Sequence, residues 1–130
     1  MRMIREVGWL DAERYRAIAD DIASGPVVIT DERIAHIQFR HPGDWESFHS
    51  HIRDVIESPD FILRDNSPAT AVCVMLLALD DAEKHLRLTL RLHTSEDLPG
   101  REHSVLTFQK INRKEYGRLS RSKKVVYRKA

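Results

Sequence analysis

One cysteine, Cys73, occurs in 130 residues, so no intrachain disulfide can form and no cysteine-rich zinc site can be built. Cys73 sits in the apolar run Ala71-Val72-Cys73-Val74-Met75-Leu76-Leu77. That setting marks it as a small buried hydrophobe, not as an electropositive, exposed nucleophile. The five glycines are scattered, which excludes a phosphate-cradling P-loop and a dinucleotide fingerprint. There is no HExxH and no paired-cysteine motif among the seven histidines, so neither a metal nor another cofactor is expected. His49 and His51 are two apart on an expected helix and face apart, whereas His85, His93 and His103 could converge in a sheet, although their spacing does not require it. No run reaches the ~18 apolar residues that span a bilayer. The basic start, Met1-Arg2-Met3-Ile4-Arg5, is followed by no long apolar stretch, so a signal peptide is not expected and the cytoplasm is the expected location. Without repeats, low-complexity blocks or a Pro/Gly-rich linker, a single domain over residues 1–130 is the simplest organisation.

What is present is globular in composition, with 42% hydrophobic and 32% charged residues. The net charge of +1 hides an asymmetry. Residues 1–66 hold 8 Lys/Arg against 13 Asp/Glu, and residues 67–130 hold 13 against 7. The last twenty residues carry eight basic groups and one acid, Glu115. Such a distribution suits contact with a polyanion through one face, or else a basic tail that aids solubility.

The hydrophobic spacing of Trp9, Leu10, Ala12, Tyr15, Ile18 and Ile22 predicts a helix over 9–24, ended by Ser24-Gly25-Pro26. Val27-Val28-Ile29-Thr30 reads as a short strand or extended entry. Asp31 can cap a helix over 32–41 that stops at His41-Pro42, and Asp44 can cap another over 45–57. Beyond Ser58-Pro59-Asp60 the period changes. Phe61-Ile62-Leu63 is a short strand, and Thr70–Leu79 is a continuous apolar run, either a strand buried on both faces or a helix. His85–His93 alternates, with Leu86, Leu88, Leu90 and Leu92 opposed to Arg87, Thr89, Arg91 and His93. Residues 80–83 make the hairpin before it. A loop over 95–101, a strand over 103–111, a short helix or turn over 112–119 and a strand at Val125-Val126-Tyr127 complete the chain. Helices first and a strand meander after them predict an α+β fold.

Three segments in this order carry a resemblance: Val27-Val28-Ile29-Thr30, then His36-Ile37-Gln38-Phe39-Arg40-His41-Pro42, then Ile56-Glu57-Ser58-Pro59-Asp60-Phe61-Ile62. With the leucine strand 86–92, Val105-Leu106-Thr107-Phe108 and Val125-Val126-Tyr127, the chain resembles the phage-associated branch of the barnase/EndoU/colicin/RelE-like nucleases over about residues 27–127. The resemblance implies N-terminal helices packed on a roughly four-stranded antiparallel sheet. It also implies metal-independent RNA cleavage by His, Arg or Lys, and Ser or Thr. The prophage or toxin context of that group implies RNA as substrate and an immunity or antitoxin protein as partner. It assigns Thr107 as the hydroxyl that orients the phosphate.

Cleaving RNA without a metal needs a base for the 2′-OH, an acid for the leaving 5′-oxygen, and cations for the phosphorane-like transition state. His36 and Arg40 are four apart and share one helical face, so they are the expected catalytic pair beside Thr107. The alternatives are a core histidine for His36 and a surface ion pair for Arg40. His41 lies about 140° from His36 around a helix and either binds substrate or only ends its helix. Arg87 and Arg91 are expected to bind phosphate from the polar stripe of their strand, unless that stripe is only a solvated face. Lys110 and Arg113 are weaker candidates for substrate charge, with Lys110 pointing away from Thr107 and Gln109 unless a bulge intervenes. The competing reading is a non-catalytic RNA- or protein-binding module on the same fold.

Overall fold

The computed structural model describes residues 3–79, 82–99 and 102–129. Seven strands form one mixed sheet: β1 (Ile4–Leu10), β2 (Gly25–Thr30), β3 (Phe61–Arg64), β4 (Thr70–Leu79), β5 (Ala82–Arg91), β6 (His103–Asn112) and β7 (Val125–Arg128). Their order is β1-β2-β6-β5-β4-β3-β7. Every neighbouring pair is antiparallel except β2 and β6, which run parallel over two rungs, Val27–His103 and Val28–Ser104. The helices are short: α1 (Ala12–Tyr15), α2 (Asp31–Arg40), α3 (Asp44–Phe48), α4 (Ile52–Glu57) and α5 (Arg113–Ser122). None of the described helices is long and apolar enough to cross a membrane.

The expected architecture of N-terminal helices on a four-stranded antiparallel sheet is therefore corrected to a seven-stranded mixed sheet with short helices. The main source of the difference is the segment read as a helix over 9–24. Trp9 and Leu10 end strand β1, and Asp11 starts a single helical turn by accepting from the Glu13 N–H at 3.0 Å. Leu10, Ala12, Tyr15 and Ile22 are all buried, as the spacing demanded. They reach the core from a strand, a turn and a loop in succession, which mimics helical periodicity. β1 approaches α4 closely, because a Cβ on Gly8 would lie 3.0 Å from Ile56 Cδ1.

Elsewhere the elements fall near their expected places with local corrections. α2 is capped by Thr30, whose Oγ1 accepts from the Arg33 N–H, and not by Asp31. The helix expected over 45–57 breaks at a 3-10 turn over His49–His51. Its N-cap is Gly43, held at φ +85°, where a glycine is needed after the His41-Pro42 stop. Asp44 turns its carboxylate to the backbone N–H of Lys110 instead, at 2.9 Å. Thr70–Leu79 is a strand, paired with β5 through ten rungs. The expected hairpin tip, Asp80-Asp81, lies outside the described residues.

The sheet separates two apolar layers. One face carries Leu10, Ile29, Leu86, Leu88, Leu90 and Phe108 against Ile34 and Ile37 of α2 and Val55 and Ile56 of α4. Cys73 belongs to this layer. Burial pushes its thiol up to about 12, and the Tyr15 hydroxyl stands 3.1 Å away. The other face carries Leu63, Val72, Val74 and Ile111 against Leu119 of α5. α5 starts at a capping box, Asn112 with Glu115, and its far end is pinned by the Lys123–Asp65 ion pair at 2.7 Å. α5 contacts β5 and β6 on this second face, beside Leu63, Val72 and Val74 of β3 and β4. The β1–β2 side, with the start of β6 at Ser104, leaves Ile4 and Trp9 exposed; it is called the open face below.

Candidate functional site

The structure places the expected site residues on both sides of the sheet. His36 and Arg40 are exposed on α2, turned away from Ile34 and Ile37. His36 is thus not the buried core histidine of the alternative reading; it borders a shallow depression with Thr30, Glu32 and Arg33. His41 ends α2, its N–H donating to the Ile37 carbonyl. Thr107 pairs with Thr89, and Thr89 pairs with Val72, so both threonines belong to the face of α5. The sheet lies between Thr107 and the His36–Arg40 pair, and these three residues do not converge. Lys110 pairs with the core residue Leu86 and points to the helix-covered side, exposed at the sheet edge. Arg113 opens α5 in an exposed position.

Register explains the division within β6. Thr89 opposes Thr107 and Leu90 opposes Val105, which leaves Leu106 as a one-residue bulge. Without it His103, Val105, Thr107 and Gln109 would share a face; with it Val105 enters the core while Thr107 and Gln109 face α5's side. Arg87, Thr89 and Arg91 keep the expected stripe on that side. Arg87 is half-buried, and loss of hydration lowers its guanidinium's pKa, opposed by the charges of Asp65 and Glu115. Arg87 Nε and the Thr89 hydroxyl are buried without a hydrogen-bond partner among the described residues.

At the open end of this stripe lies a cleft of about 440 Å³, bordered by Thr30 and Val28 of β2, Ser104 of β6, Arg91, His93 and Glu102. A second cavity of about 180 Å³ adjoins it beside Pro26 and His103. His93 and Glu102 border both cavities. Their meeting follows from register. The last rung of β5 and β6 is Arg91–Ser104, and two residues further each chain reaches His93 and Glu102. The loop between them is tied down. Asp97 accepts from the Thr94 N–H at 2.7 Å and pairs with Arg91 at 3.0 Å. Those contacts, the Thr94 N–H first, hold its carboxyl below the usual range. Ser95 donates through both N–H and Oγ to Asp21, which likewise lowers that carboxyl. Neither a family model, nor a curated protein, nor a solved structure matches this chain. The site is therefore argued from its geometry alone.

His103 is the buried post behind the cleft. Its Nδ1 accepts from the His93 N–H at 2.9 Å, and its Nε2 donates to the Ala23 carbonyl at 2.8 Å. The Nδ1 contact requires the neutral ring, since a proton on Nδ1 would confront the His93 N–H. Burial lowers its pKa, with the Ala23 bond opposing, and the nearby His93 and Glu102 acting in opposite senses. The unfolded chain therefore takes up this proton first. The stability it confers is complete above the ordinary histidine value of about 6.5 and is lost as pH falls below it. Denaturant unfolding should show decreasing stability from about pH 7.5 to about pH 5. His103→Gln should flatten that slope; an unchanged slope in the variant would assign the effect to other groups.

Sequence reasoning found Arg91 and put His93 on the correct face, but it missed Glu102. The signal was available in the pairing of 85–93 with 103–111, since an antiparallel register through Arg91 and Ser104 carries the next outward pair to His93 and Glu102. Among the described residues, no group of three or more His, Cys, Asp or Glu side chains is placed to hold a metal ion.

Proposed function

We propose that this protein cleaves RNA by general acid–base transesterification at the open-face cleft. The observation that carries the reading is that an acid, an imidazole and a guanidinium, Glu102, His93 and Arg91, border one cavity. That cavity lies on the side of the sheet where α5 brings the exposed Lys114, Arg118 and Arg121. Glu102 takes the proton of the 2′-OH. The O2′–P bond forms as the P–O5′ bond breaks, and protonated His93 gives its proton to O5′, leaving a 2′,3′-cyclic phosphate and a 5′-hydroxyl. Arg91 holds the charge that develops on the phosphate oxygens, and Thr89, Thr107 and Arg87 continue the polar floor toward α5.

One observation favours the second reading, RNA binding without cleavage: Arg91 is already engaged by Asp97 and by the Leu92 carbonyl. The two separate on a single assay. Pure protein with total RNA in EDTA should give fragments ending in cyclic phosphate; intact RNA with retained binding selects the binding module, and cleavage that EDTA abolishes and Mg²⁺ restores removes the proposed mechanism. Binding under either reading should weaken with salt, each neutralised phosphate contributing about −0.7 to the slope of log K against log salt for a single strand. Affinity unchanged between about 50 and 200 mM salt would remove the basic side as a phosphate track.

A further inference from the structure

We infer that Trp9 is a stacking platform for a base of single-stranded RNA, set beside the cleft on the same face; this rests on the RNA reading above. Trp9 is 51% exposed although it stands inside a strand between ordered neighbours. Leu10 beside it is fully buried among the core, so the alternation of the strand turns the indole to the open face. Trp9 pairs with Pro26, and Pro26 borders the smaller cavity together with His93 and Glu102. The row Trp9, Pro26, Glu102, His93 thus crosses the sheet over three inter-strand steps of roughly 4.8 Å, placing the indole about 14 Å from the imidazole's strand. That separation suits a neighbouring base and not the cleaved linkage.

The strand beneath the indole is anchored: the backbone N–H of Trp9 donates to Glu57 at 3.1 Å, and Glu57 is held in turn by Arg53 at 2.9 Å. Further along β1, beyond Glu6 opposite Val28, Ile4 is 65% exposed at the mouth of the larger cavity. The charge on this side of the sheet selects the occupant of the exposed indole. Arg91 and the basic residues of α5 line the same side of the sheet, which suits a strand of phosphates carrying flat apolar bases. Apposing the open faces of two copies would instead set these cations against one another.

The test uses a labelled 2′-O-methyl RNA strand, which lacks the attacking hydroxyl, and an abasic strand with the same number of phosphates. Trp9→Ala should bind the base-bearing strand roughly 5- to 100-fold more weakly than the unaltered protein. Trp9→Phe should retain most of the affinity, and all three should bind the abasic strand alike. Equal affinity of Trp9→Ala and the unaltered protein for the base-bearing strand, with Arg91→Ala weakened, overturns the stacking role and leaves the RNA reading standing. Failure of the unaltered protein to bind either strand overturns both. Loss of self-association on sedimentation in Trp9→Ala, with RNA affinity unchanged, assigns the indole to a second copy of the chain and overturns the proposal.

Discussion

Replacing His93 with alanine should lower the proposed RNA cleavage by roughly 100-fold or more, the usual cost of a lost proton-transfer group. The side chain lies at the mouth of a cleft, and its ring makes one bond of structural consequence, from Nε2 to the Leu98 carbonyl. Melting temperature should therefore change little. Glu102→Gln removes the partner base and should cost a similar factor. The double variant should lose far less than the product of the two, because groups that act together in one transition state are not additive. His36→Ala and Arg40→Ala are the contrasting pair. Both side chains are exposed on the far side of the sheet from Thr107, and both variants should cleave within a few-fold of the unaltered protein. The decisive measurement is kcat/KM on one RNA for all five variants, each shown to be folded. Full activity in His93→Ala, or collapse of activity in His36→Ala, moves the chemistry away from the open-face cleft.

Phe108→Ala should destabilise the fold by about 3–5 kcal/mol, a large share of the 5–15 kcal/mol typical of a domain. Phe108 has no exposed surface and lies on β6, at the seam of the sheet. Its ring meets the edge of Trp45 at 6.4 Å and 87°, so its removal opens a cavity under α3 that neighbouring side chains cannot fill without leaving their own contacts. Leu119→Ala, in the smaller layer beneath α5, should cost less, about 2–3 kcal/mol. Leu119 is 6% exposed and belongs to a layer of five buried residues, which a sliding helix can partly close. Urea unfolding of the two variants compares the layers directly. Equal losses would mean that α5 is as deeply integrated as the main core.

The strand half of the molecule was largely legible because its apolar period departs from the helical one, although the run 70–79 left strand and helix both open. Leu86 to Leu92 alternate on one face with no exception, and the run 70–79 is apolar at both parities because two layers cover its residues 71–74. The N-terminal segment misled for a physical reason: burial at Leu10, Ala12, Tyr15 and Ile22 has helical spacing although only Ala12–Tyr15 is helical. The strand 4–10 carries Glu6 and Arg5 on an exposed edge and Val7 at a bulge, so it lacks the alternation that announces a strand. The candidate site was only half legible. Arg91 and His93 follow from strand parity, but the place of Glu102 depends on a pairing register, and the side taken by Thr107 depends on the bulge at Leu106. His36 and Arg40 do share a helix face as their spacing required. Spacing says nothing, however, about which side of a sheet that helix covers.

The parallel seam between β2 and β6 has a consequence for how the molecule assembles. β3 to β6 are joined by antiparallel pairings between strands close in the chain, which form with little loop-closure cost. The N-terminal hairpin of β1 and β2 joins them through two rungs, a few side-chain bonds, including His103 to Ala23 across 80 residues and Ser95 to Asp21 across 74, and the packing of Leu10, Val27 and Ile29 into the main core. Contacts of that separation close late. The open-face cleft straddles this seam, with Thr30 and Val28 on one side and Arg91, His93 and Glu102 on the other. A chain that has folded its meander but not yet docked its N-terminus lacks one wall of the cleft, and its main core is still missing Leu10, Tyr15, Val27 and Ile29.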